Sequence, residues 1–218
     1  MSDWLIWQVV DSAFPTGLFA HSWGLESAWQ HGEIRDAAAL RVFTETAVIQ
    51  AGHASLPFVN DGFDWPDRLA ALDLLSDAFL TNEVGNRASR IQGRSLIATA
   101  ARVWPSDALG RLERASADTC AHVAPLCGAI LRSLDVPRAS AQRMVLFGAA
   151  RGVLSAAVRL GIAGSYEAQR LQHACAPLLE AVAANCSALG VSDLAQTAPL
   201  IDLFQARHDT LYSRLFQS

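Results

Sequence analysis

The chain contains no lysine; all 17 of its basic residues are arginine. That excludes a Walker A phosphate loop, whose lysine reaches the phosphates, and any Schiff-base chemistry. Charge of either sign is scarce, at 17% of residues against about 25% in an average soluble domain. The net charge of −4 provides no basic surface for nucleic acid or an anionic membrane. Although 51% of residues are hydrophobic, no apolar run approaches the ~18 residues of a spanning helix. No stretch alternates apolar and polar residues over β-branched positions, so strands are not expected. Cys-x-x-Cys, His-x-x-x-His and the Gly-x-Ser-x-Gly nucleophile elbow are all missing.

What is present is apolar, helical sequence. At 218 residues the chain can bury a sizeable core as one domain. Its start, "MSDWLIWQVVDSAF", lacks a basic n-region and predicts a helix or arm over residues 1–12, not a signal peptide. The chain is therefore expected in the cytoplasm, with Cys120, Cys127, Cys175 and Cys186 reduced. Asp36 can cap a helix carrying Leu40, Phe43, Ala47, Val48 and Ala51 at helical spacing. Pro66 opens the next helix, and another runs from about Glu83 to Trp104, before Pro105. A helix from Asp118 or Thr119 to about Leu134 should bend or restart at Pro125. A long helix from Ser140 should end at Gly161, with Gly148 and Gly152 admitting a close neighbour. Ser165 can cap a further helix, which Pro177 should kink or split, and Pro199 opens the last. The sum is one all-α domain, residues 1–218, of roughly nine to eleven helices.

Candidate chemistry is sparse. Cys120-Ala-His122 and His173-Ala-Cys175 are the closest approaches to metal ligands. On a helix, residues two apart diverge by about 200°, so neither pair could grip one ion. No metal or cofactor is expected on this chain. Asp61, Asp64 and Asp67 read as turn and cap residues, and Arg87, Arg90 and Arg94 as a solvated helix stripe or a surface for an acidic partner.

The run "DSAFPTGLFAHSWGLE", residues 11–26, is less ordinary. It bends at Pro15 and Gly17 among Phe14, Leu18, Phe19 and Trp23, then continues through His21, Ser22 and Glu26. Ser22 suits an N-cap better than a nucleophile. The C-terminus also stands out, with Leu211, Tyr212, Leu215 and Phe216 close together. Chain ends are usually polar and fray. An apolar one either folds back onto its own core or docks on a partner.

"FPTGLFAHSWGLESAWQHGEI", "NEVGNRASRIQGRSL", "AAVRLGIAGSYEAQRL" and the terminal "YSRLFQS" together resemble the landmarks of the UreF family of urease accessory proteins, in order and over nearly the whole chain. The resemblance implies an all-α, dimeric, non-enzymatic assembly factor. Such a factor binds UreD (also called UreH), recruits the nickel-carrying GTPase UreG and presents it to apo-urease. Nickel is then handled by the assembly. Carried over by position, the family's turn falls on Pro15 and Gly17, its "S-x-GLE" on Ser22, Gly24, Leu25 and Glu26, and its later loop on Arg159, Gly164 and Gln169. Glu26, Arg159 and Gln169 are implied as the UreG-facing residues. The tail over 211–218, with Tyr212, Ser213, Arg214, Leu215 and Phe216, is implied as the UreD-docking element. Two departures, Leu18 and the missing proline in Gly161-Ile162-Ala163-Gly164, touch loop shape. The competing reading is an all-α ligand- or haem-binding enzyme using His21.

Overall fold

The computed structural model describes residues 3–15 and 21–216. Every regular element among them is helical. In chain order these are α1 (Asp3–Val10), α2 (Leu25–Gln30), α3 (Ala37–Gln50), α4 (Leu56–Asp64), α5 (Leu69–Phe79) and α6 (Glu83–Val103). They are followed by α7 (Asp107–Ala117), α8 (Val123–Ser133), α9 (Arg138–Arg159), α10 (Ser165–Ala174), α11 (Ala176–Cys186) and α12 (Pro199–Ala206). A π turn over Ala51–Ser55 joins α3 to α4 without a break in helical backbone. It lies just before Pro57, whose ring and missing N–H disturb the regular ladder of the preceding turn.

The local signals act where the chemistry predicts. Asp36 Oδ1 accepts the Ala39 N–H at 2.8 Å to start α3. Asn82 Oδ1 does the same for Val84 and Gly85 at α6. Leu160 closes α9 and Gly161 follows at φ +72°, a left-handed position that glycine adopts without penalty. Pro177 splits α10 from α11, and Pro199 is the first residue of α12.

Local expectations are adjusted at several positions. The helix expected from Asp118 or Thr119 begins only at Val123, a restart next to Pro125, which sits in the first turn of α8, where a missing N–H costs nothing. Gly164, not Ser165, holds the cap position of α10. Cys120 and His122 lie in the turn before α8, not on a helix, and Ala121 between them has φ +61°.

Packing is closest between α4 and α8. A Cβ on Gly62 would strike the Pro125 carbonyl, and one on Gly128 would strike the Val59 carbonyl, so the two backbones meet where side chains are missing. Close approach was expected instead at Gly148 and Gly152. Gly148 faces open space, and Gly152 lies under the Trp23 indole, not under a helix. Around the α4–α8 seam the core continues through Leu56, Val59, Leu126, Ile130 and Leu146, all buried. α3, α9 and α2 enclose a second region with Leu25, Leu40, Val153 and Ile201. No helix among the described residues is long and apolar enough to cross a membrane.

Candidate functional site

The segment entering α2 is built by two consecutive left-handed residues, Trp23 at φ +58° and Gly24 at φ +81°. Gly24 is the cap of α2, and α12 passes directly over it: a Cβ there would lie 3.0 Å from the Gln205 nitrogen and 3.1 Å from the Ile201 carbonyl oxygen. Only glycine meets both demands. Ser22 is not the cap. Its carbonyl accepts the Leu25 N–H at 3.0 Å, while its buried hydroxyl has no hydrogen-bond partner among the described residues.

Glu26 follows in the first turn of α2, and it is only 2% exposed. The expectation of a displayed charge is therefore corrected: the carboxylate points inward. Burying an ionised group is costly unless strong donors surround it. Here three do. Leu215 N–H donates to Oε1 at 2.7 Å, Phe216 N–H to Oε2 at 3.2 Å, and the His208 Nε2 lies 3.0 Å from Oε2. His208 is itself fully buried, within a 3-10 turn over Arg207–Thr210.

These bonds bring the C-terminal segment back onto α2. Gln30 Nε2 adds a bond to the Ser213 carbonyl at 2.9 Å. Phe216 is 6% exposed, with the Arg159 guanidinium over its ring at 4.3 Å, a cation–π geometry. Arg214 Nη1 donates to Asp209 at 2.9 Å, and Arg87 of α6 donates to the same carboxylate at 2.8 Å. The Arg87 hydrogen bond holds Asp209 below the usual carboxylate range. With its backbone pinned, the segment leaves Tyr212 fully exposed and Leu215 51% exposed. α12, packed on α2, also exposes Leu200 and Leu203. An ordered display of aromatic and aliphatic side chains next to arginines is the composition of a protein-binding surface.

The remaining positions separate. Leu25 is fully buried beneath the turn. The Pro15 carbonyl accepts the Ser95 and Thr99 hydroxyls of α6 at 2.9 and 3.1 Å, anchoring the preceding bend. Gly17, with Leu18 and Phe19, lies outside the described residues. Gly164 and Gln169 are exposed on α10, which packs against α9. His21 is buried, and that burial, followed by the nearby His208, lowers its pKa from 6.5 to about 4. Sequence reasoning did not find His208. It lies 182 residues from Glu26, and no local pattern links them.

Comparison with known families and proteins places the chain. The UreF family model matches residues 34–176. Urease accessory protein F of Oryza sativa subsp. indica is 38% identical over 221 residues, covering 99% of this chain and 85% of that protein. The protein of the same name from Arabidopsis thaliana is 36% identical over 222 residues, covering 99% and 92%. Urease accessory protein UreF of Rhodopseudomonas palustris (strain TIE-1) is 30% identical over 213 residues, covering 94% and 88%. On these matches, the chain belongs to the UreF family of urease accessory proteins.

Proposed function

We propose that this chain is a non-enzymatic scaffold and regulator in urease maturation. It binds UreD (UreH), and the pair recruits the GTPase UreG to apo-urease and couples GTP hydrolysis to nickel insertion. Nickel is cargo of that assembly. The chain works as a homodimer in the cytoplasm.

The observation that carries this reading is the pinned C-terminal segment. Its backbone is held by Glu26 and Gln30 while Tyr212 and Leu215 project outward. A preorganised segment loses less entropy on docking than a frayed end would. We assign it to UreD, with Tyr212 and Leu215 as anchors and Ser213, Arg214 and Phe216 as their support. Arg159 and Gln169 remain the UreG-facing residues in this reading. Glu26 becomes a positioning residue that orients the tail.

Co-expression with UreD and UreG tests the proposal by gel filtration. The full chain is expected to co-elute with both partners. Truncation before Leu211 should abolish UreD binding while leaving the helical signal intact. Unchanged UreD affinity in a folded truncation would overturn the assignment of the tail.

A further inference from the structure

The turn before α8 gathers donors that lie up to 45 residues apart in the sequence. Asp73 of α5 accepts the backbone N–H of Cys120 at 2.8 Å and of His122 at 2.6 Å. With Ala121 at φ +61° between them, the two side chains no longer diverge as they would on a helix. Both reach Asp77, one helical turn after Asp73. His122 Nε2 lies 3.2 Å from Asp77 Oδ1, and one donor atom from each of Asp77, Cys120 and His122 lies within 4.8 Å of the other two. Tetrahedral ligands at about 2.0–2.3 Å from an ion sit roughly 3.3–3.8 Å apart. Closing the set needs only a small shift of Cys120 and Asp77, both partly exposed, about a buried His122.

Supporting groups are already in place. His122 Nδ1 lies 3.0 Å from the Ser89 hydroxyl, which also accepts the Val123 N–H at 3.3 Å. Asn86 Nδ2 donates to Asp77 Oδ1 at 3.0 Å. An imidazole fixed through its second nitrogen and a carboxylate held by an amide are the usual supports of metal ligands.

We propose that Asp77, Cys120 and His122 form a three-ligand site for a first-row divalent cation of borderline softness, such as zinc or nickel. A thiolate and an imidazole beside one carboxylate select against magnesium and calcium, which require oxygen cages. The partial exposure of Asp77 leaves the entry path and further coordination positions open to water or a partner's ligand. On binding, the Cys120 S–H bond breaks, the sulfur–metal bond forms and the thiol proton passes to solvent. Coordination through Nε2 requires the ring proton on Nδ1, which faces the Ser89 hydroxyl. One proton leaves per ion bound. The expectation that this chain binds no metal rested in part on placing Cys120 and His122 on a helix, and that placement does not hold.

Titrating the chelator-stripped full-length chain with Co2+ alone tests the site. The expected result is one ion per chain, a near-ultraviolet thiolate-to-cobalt charge-transfer band, release of one proton and displacement of the band by Zn2+. Cys120→Ser should abolish the band and Cys186→Ser should keep it. Asp77→Asn should weaken binding at least about tenfold. No band, or a band that survives Cys120→Ser, overturns the proposal. If Cys120→Ser does not fold, the wild-type chain decides. Zn2+ should then protect Cys120 from alkylation as mapped by mass spectrometry, and unprotected Cys120 at saturating Zn2+ also overturns it.

Discussion

Removing the Glu26 carboxylate should release the C-terminal segment, and the energetics of that release can be worked from its contacts. Glu26→Ala leaves the Leu215 and Phe216 N–H groups and His208 without their acceptor. Hydrogen bonds to charged groups contribute about 1.5–3 kcal/mol each, and leaving a buried polar group unsatisfied costs about 1–3 kcal/mol. The terms do not add freely, because once the segment detaches, water satisfies its N–H groups. The loss is then capped by the free energy of docking the segment. That docking includes burial of Phe216, about 1.5–3 kcal/mol, and its cation–π contact with Arg159, about 0.5–1 kcal/mol. We expect Glu26→Ala to cost about 3–4 kcal/mol, or roughly 6–16 °C in Tm for a chain of this size. Phe216→Ala should cost about the same. Because both changes act by releasing one segment, the double variant should cost little more than either alone, giving a coupling of about 2 kcal/mol or more. Urea unfolding of the four proteins measures the cycle. Hydrogen exchange at the Leu215 and Phe216 amides in Glu26→Ala reports the release directly. Additive single-variant losses, or unchanged amide protection, would refute the pinned-segment account.

Other outcomes follow from single contacts. The native pKa of His21 is about 4 against 6.5 for the free side chain, so between those values the unfolded chain takes a proton that the native chain refuses. Stability is therefore full above 6.5 and falls as the pH drops towards about 4, by up to ~3 kcal/mol at about 1.4 kcal/mol per unit. His21→Asn should flatten that part of the pH profile in urea unfolding; an equal slope in both proteins would contradict it. Gly128→Ala places a Cβ against the Val59 carbonyl and forces α4 and α8 apart. It should cost about 1–3 kcal/mol in thermal unfolding, and an unshifted Tm would rule out the close approach. Arg87→Ala breaks a half-exposed pair with Asp209, so its effect on chemical denaturation should stay within about 1 kcal/mol.

The fold was legible wherever one residue acts on its own neighbourhood. Asp36, Gly161, Pro177 and Pro199 punctuate the helices as their chemistry requires. The sequence stayed ambiguous where one residue type has two opposite uses. Pro125 breaks a helix interior but suits a first turn, and only the position of His122 at the cap decides between them. Ala121 carries no signal for a positive φ, yet that angle turns Cys120 and His122 towards one carboxylate. The force that holds it there comes from Asp73, about fifty residues earlier in the chain.

Glu26 shows the same limit at the C-terminal segment. Next to a turn and at the start of a helix, a glutamate reads as a surface charge favoured by the helix dipole. Its burial becomes tolerable only when His208, Leu215 and Phe216 supply three donors, and all of them arrive from the other end of the chain. The sequence left two readings of the apolar tail open, folding back or docking outward. The geometry makes them compatible, because backbone and side chains divide the work. The main chain of residues 213–216 turns inward to Gln30 and Glu26, and Phe216 fills the space beneath Arg159. Tyr212 and Leu215 are thereby fixed facing solvent. A segment that is anchored in this way can present apolar side chains without fraying, so the inward contacts are what make an outward docking surface possible.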